Sequence, residues 1–279
     1  MKPRAVIIAG VAALLLAVAA TGAWREMRPA PEAAGDAEPD AQLPIPPVPP
    51  RIAQGDDYER CLAMLGTDPE GAQALAETWQ TAGGGDGADH CLALARIELG
   101  DPQEGATLLE RLAAASHGGG AARAVIYGQA AQAWLLTGDP AHAFAAGSKA
   151  LALSPDDPGL LIDHAVAADG LQRWQDAIDD LTHALDLDPR RPDALVLRGA
   201  AWRHLGNLDV AQDDVNRALA IDPQNAEALL ERGILRQRHD DASGARADWQ
   251  QAITIAPDSP TADLAQQNLA LLEAGPKRQ

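Results

Sequence analysis

The sequence predicts an all-α protein, an α-solenoid of stacked antiparallel helix pairs, about six pairs followed by one C-terminal capping helix. Three observations predict it. The strings ALALSP, ALDLDP, ALAIDP and AITIAP end at Pro155, Pro189, Pro223 and Pro257, a constant step of 34 residues. Between those prolines the apolar residues recur at helical spacing. Composition points the same way. Alanine dominates, the 279 residues include only nine aromatic side chains, and strand-favouring runs are scarce. A fixed period of this length is the mark of units that bury their apolar faces only by stacking.

The chain divides into five expected segments. Residues 1–24 begin MKPR, and a run of about 19 uncharged, mostly apolar residues follows Lys2 and Arg4. Basic residues stay on the cytoplasmic side, so the remainder is expected outside. Two readings stay open for this segment. The run is long enough to span a bilayer, with Trp24, Arg25 and Arg28 as an interfacial collar. Equally, Ala17-Val18-Ala19 and Thr21-Gly22-Ala23 offer signal-peptide cleavage sites. The expected location is the periplasmic face of a bacterial inner membrane, or the soluble periplasm after cleavage. Residues 25–52 form a Pro-rich linker. Eight of the 22 residues from 29 to 50 are Pro, which no helix or central strand tolerates, so an extended spacer is expected.

Residues 53–120 read as degenerate helix pairs. DDYERCLAMLGTDPEGAQALAETWQ, from Asp56, gives a short helix and a longer one. DHCLALARIELGDPQEGATLLERLAAAS, from Asp89, gives a second pair, and HGGG at 117–120 stretches the next step to 38 residues. This glycine run is read as a flexible insert. Residues 121–259 hold four regular units, roughly 124–157, 158–191, 192–225 and 226–259. In the unit starting at Gly159, LLIDHAVAADG is one helix, with Gly170 as its expected C-cap. WQDAIDDLTHAL is the next helix, with Trp174, Ala177, Ile178, Leu181, Ala184 and Leu185 on one stripe. Asp188-Pro189 is expected to close this unit and open the next, since Asp caps helix N-termini and Pro fits the first turn. The same dipeptide stands at Asp68, Asp101, Asp139 and Asp222. Alanines recur at 143, 177, 211 and 245, and again at 150, 184, 218 and 252, where they let helices approach closely. Residues 260–279 contribute the capping helix, TADLAQQNLALLE, and a tail.

A 34-residue helix-turn-helix unit with small residues at Ala131, Ala165, Gly199 and Gly233, the two alanine series and the closing Pro resembles the tetratricopeptide repeat. The resemblance implies a right-handed superhelix whose first helices line a concave groove. It places Gly128 and Gln132, Ile162 and Val166, Val196 and Ala200, and Leu230 and Ile234 in that groove. Asp163, Asp169, Arg203, His204, Glu231 and Arg238 would be the polar neighbours. One groove type in the family grips a terminal carboxylate with Lys and Asn at such positions. Here they are apolar, which suits an amphipathic helix or an extended apolar segment of a partner protein.

Cys61 and Cys91 are the only cysteines. An even count in an exported chain reads as a disulfide, here closing about 30 residues and stabilising by roughly 3–4 kcal/mol. Two buried thiols are the alternative. Two sulfurs at this spacing do not make a metal site. The formal charge of −18 repels phosphate backbones and argues against nucleic acid. No catalytic constellation emerges. HGGG lacks an accompanying Gly-x-Ser-x-Gly, Gly147-Ser148-Lys149 lacks the phosphate-loop spacing, and Asp180 with His183 reads as a solvated face. No cofactor is expected. The expected function is a non-enzymatic scaffold or adaptor. The alternative is a periplasmic chaperone or assembly factor, for example of the cytochrome c maturation type.

Overall fold

The computed structural model describes residues 51–274, all within the unit Val48–Gln279. The expectations for residues 1–24, and for all of the linker before Arg51, lie outside the described residues. Among the described residues no helix is long and apolar enough to cross a membrane.

Thirteen α-helices and no strand are found among the described residues, as the period requires. They are α1 (Asp56–Leu65), α2 (Pro69–Thr81), α3 (Gly85–Glu98), α4 (Pro102–Ala115), α5 (Gly120–Leu136), α6 (Pro140–Leu153) and α7 (Pro158–Gly170). The rest are α8 (Trp174–Leu187), α9 (Pro192–His204), α10 (Leu208–Ile221), α11 (Ala226–Arg238), α12 (Ala242–Ile255) and α13 (Pro260–Ala274). Six antiparallel pairs and a final helix result. Each second helix packs against its own first helix and against the first helix of the following pair. Successive first helices also touch one another, as α5 touches α7 and α9 touches α11. First helices therefore form the inner layer.

Small residues make that packing possible. Ala143, Ala177, Ala211 and Ala245, with Ala150, Ala184, Ala218 and Ala252, are all 0–1 % exposed. Larger side chains fill the space beside them: Leu181, Val215 and Trp249 occupy one register, each at most 1 % exposed. A Cβ at Gly233 would stand 2.3 Å from Trp249 Nε1 and one at Gly199 would stand 2.9 Å from a Val215 methyl. Glycine at these two sites is thus a packing requirement.

Four local expectations need correction. First, Asp68, Asp101 and Asp139 do cap α2, α4 and α6, accepting from the N–H of Gly71, Glu104 and His142 with Pro at the first helical position. Asp188 and Asp222 do not open helices. They are the C-caps of α8 and α10 and accept from Arg190 and Gln224 N–H in short turns, so α9 and α11 each start four residues later. Second, Gly170 is the last residue of α7 and not the left-handed stop; Gln172 holds that role with φ 58°. Third, α3 begins at Gly85, four residues before Asp89. Fourth, Gly120 is the first residue of α5 and not part of a loose insert. The link is tied at both sides: Ser116 Oγ bonds Asp86, Gly118 N–H donates to Ser116 Oγ (2.9 Å), and Arg123 Nε donates to the Ala113 carbonyl in the last turn of α4 (2.7 Å).

Candidate functional site

The inner face is built from the exposed flanks of α1, α3, α5, α7, α9 and α11. A row of polar bonds stitches these helices together. Tyr58 Oη on α1 meets His90 Nδ1 on α3 at 2.5 Å, and His90 Nε2 meets Gln129 Oε1 on α5 at 2.7 Å. Since the amide oxygen only accepts, the imidazole carries its proton on Nε2 and accepts from Tyr58. Gln132 donates to Asp163 across α5 and α7 at 2.7 Å. Arg203 pairs with Glu231 across α9 and α11. Burial lowers the His90 pKa, against the opposing bond to Gln129. Burial pushes the Tyr58 hydroxyl up to about 12, Arg51 pulling the other way and Glu59 adding to the rise. Burial likewise raises the Asp163 carboxyl, against the Gln132 bond, with Asp157 adding to the rise and Arg191 pulling it back.

The residues expected in the groove divide into three groups. Ile162 and Val196 are buried in the core at 7 % exposure each, so they do not line an open trough. Val166, Ala200, Leu230 and Ile234 are half-buried on the inner layer, and Leu230 and Ile234 also pack against the core. Of the polar set, Gln132 and Asp163 are brought together, as are Arg203 and the buried Glu231, while Arg238 is exposed. Gly128 is buried where α5 and α7 cross: a Cβ there would stand 2.5 Å from a Leu160 methyl.

Two features were missed at the level of sequence. The first is a tie between the helices of a pair. Arg198 donates two parallel hydrogen bonds to Asp214 (2.7 and 2.8 Å), and Arg232 does the same to Asp248 (2.9 and 2.7 Å). One unit earlier, His164 Nδ1 meets Asp180 at 2.6 Å. The signal was available: 164, 198 and 232, and 180, 214 and 248, are each 34 apart. Asp180 is therefore a structural partner rather than part of a solvated face, whereas half-buried His183 meets Asp156 at 3.0 Å.

His164 Nε2 also meets Ser148 Oγ at 2.9 Å, which aligns Ser, His and Asp as in a nucleophilic triad. The next unit explains the alignment, because Arg198 bonds Thr182 and Asp214 at the same three positions. Ser148 sits in the middle of α6 and its hydroxyl donates to the Phe144 carbonyl at 2.8 Å. Backbone N–H groups there are spent in the helix, so none is aimed at an oxyanion.

The second missed feature is a pair of adjoining clefts. One lies between α3 and α5, with Leu94, Ile97 and Leu136 beside Glu98, Gln129 and Gln132. The other lies between α5 and α7 and shares Gln129 and Gln132, with Asp157 and Asp163 at its margin.

Elsewhere on α3, Cys91 faces Cys61 of α1. Both are fully buried, with Cα atoms 6.1 Å apart and sulfurs in bonding position. That separation lies within the range a disulfide spans.

Tetratricopeptide-repeat family models match residues 162–226 and 203–270. Compared with curated proteins by sequence, the chain finds no match. Among solved structures it is similar to pilF of Pseudomonas aeruginosa, at 14 % identity and TM-score 0.59, over 76 % of this chain and 96 % of that one. It is also similar to YrrB, described as a TPR protein with an unusual peptide-binding site, at 18 % identity and TM-score 0.52, over 70 % of this chain and 97 % of that one. A third is a thermophilic TPR protein of Thermus thermophilus, at 21 % identity and TM-score 0.54, over 67 % of this chain and 100 % of that one. At these identities the likeness concerns the fold.

Proposed function

The chain is a tetratricopeptide-repeat protein, and from that premise we propose that it is a non-enzymatic scaffold whose inner face binds a peptide or helix of a partner protein. The observation that carries the reading is the run of accessible apolar side chains on successive first helices: Leu136, Val166, Ala200, Leu230 and Ile234. The acidic charge supports a protein partner and opposes nucleic acid. YrrB, with its peptide-binding site, is a precedent for such use of the same fold.

The proposal extends to the cell envelope. Lys2 and Arg4 followed by the apolar run support an exported body, held to the inner membrane or released by cleavage. The Cys61–Cys91 pair, which an oxidising compartment would bridge, agrees with that location. A photo-crosslinking residue at Leu230 in living cells tests the interaction. One dominant exported or membrane protein is expected there, and none from Asn216 on an outer helix. Capture from Asn216 alone overturns the inner-face reading, and a spread of unrelated unfolded clients at Leu230 overturns the adaptor in favour of a chaperone. For the location, thiol labelling of cells without reductant should leave Cys61 and Cys91 unmodified even after denaturation. Full labelling of both would place the body in a reducing compartment.

A further inference from the structure

The step from the second to the third pair is 38 residues where the later steps are 34. On the inner face α1 and α3, or α5 and α7, lie against one another, whereas α3 and α5, joined by the His90–Gln129 bond, and α7 and α9 are more loosely apposed. The space between α3 and α5 is the cleft floored by Leu94, Ile97 and Leu136. Leu136, on the last turn of an inner helix, is 69 % exposed, as high as any large apolar side chain among the described residues. The polar margin is one-sided. Glu98 borders this cleft and Asp157 and Asp163 border the adjoining one, and no Lys or Arg lines either.

A groove between two helices that run in the same direction accepts a third helix by its apolar stripe. An acidic margin selects what flanks that stripe, because like charges brought together on docking are repelled. We propose that the cleft between α3 and α5 is a docking site for an amphipathic helix of a partner protein whose apolar face is flanked by Lys or Arg. The apolar face seats on Leu94, Ile97 and Leu136, and the basic flank meets Glu98 and, across Gln132, Asp163. This deepens the inner-face reading and rests on it.

The test uses the full chain and two synthetic 18-residue peptides with the same leucine face, one with Lys on its polar side and one with Glu. Binding is read by fluorescence anisotropy at fixed salt. The Lys peptide should bind at least about tenfold more tightly than the Glu peptide, a difference of about 1.4 kcal/mol. Leu136→Lys should weaken it about tenfold or more, and Asn216→Lys, at an exposed position on an outer helix, should leave it within about twofold. Glu98→Lys, at an exposed position where folding is not at stake, should reverse the preference between the peptides. Equal binding of both peptides, no binding of the Lys peptide, or indifference to Leu136→Lys and Glu98→Lys overturns the proposal. If Leu230→Lys alone abolishes binding, the cleft fails while the inner-face reading stands. If no inner-face substitution matters, both fail. If removing residues 29–50 raises the affinity of the Lys peptide tenfold, the cleft belongs to the chain's own Pro-rich segment, and a partner helix is overturned.

Discussion

The turn that ends five of the six first helices, all but α1, depends on one residue in a left-handed conformation. Gly100, Gly138 and Gly206 hold it with φ of 87°, 72° and 81°, while Gln172 and Asp240 hold it with φ of 58° and 62°. All five turns close with the same long bond back into the helix, as Arg173 N–H to Ala168 O at 2.9 Å. A Cβ in this conformation is disfavoured by about 1 kcal/mol. Gln172→Gly should therefore stabilise the protein by about 1 kcal/mol in denaturant unfolding. Gly206→Ala should destabilise by a similar amount, with no clash involved, since nothing lies within 4 Å of its added Cβ. The buried His90 makes a second residue-scale prediction. Its folded pKa is lowered by burial, so its contribution is fully present above the unfolded value of about 6.5 and is lost as pH falls through the lower folded value. The stability advantage of wild type over His90→Gln should shrink between pH 7 and pH 5. An advantage that is constant or grows would rule out the buried neutral imidazole.

The pairs α7/α8, α9/α10 and α11/α12 are each tied by a bond from the first helix to an aspartate of the second, and these ties were legible as spacing but not as contacts. Arg198 and Asp214 are 15 % and 4 % exposed at the side chain. Asp214→Ala leaves a largely buried guanidinium without its carboxylate and should cost about 3 kcal/mol. Asp180→Ala leaves an imidazole that tolerates neutrality, and about 1–2 kcal/mol is expected. Equal losses in denaturant unfolding would mean that the ties are not carrying charge. The period located most helices because alanine registers and the apolar stripe recur at every unit. It misplaced boundaries where one dipeptide serves two roles: Asp-Pro caps a helix at 139 but sits in the turn between units at 188 and 222. Periodicity also could not show that Ile162 and Val196 turn into the core while Leu136 stays open. That difference follows position along the helix: Leu136, like Gly170, His204 and Arg238 at the same register, ends its helix and is exposed, whereas Ile162 and Val196 stand in the second turns of α7 and α9.

At the scale of the molecule, each pair touches only its neighbours, so stability is a sum of local terms and the inner layer is one continuous surface. The 38-residue step interrupts the 34-residue period between α4 and α5, beside the α3–α5 cleft. Little of the candidate site was readable beforehand. The groove positions implied by the family resemblance stand on first helices, with Ile162 and Val196 buried, and the inter-unit bonds Gln132–Asp163 and Arg203–Glu231 and the α3–α5 cleft arise from geometry between units. The division of labour proposed for the stack is that first helices bind and second helices support. Hydrogen–deuterium exchange on the full chain, with and without the partner captured at Leu230, separates the two layers. Slowed exchange is expected in the first helices, α3, α5, α7, α9 and α11, with α6, α8, α10 and α12 unchanged. Protection confined to the second helices, or to α13 at the end of the stack, is incompatible with that division.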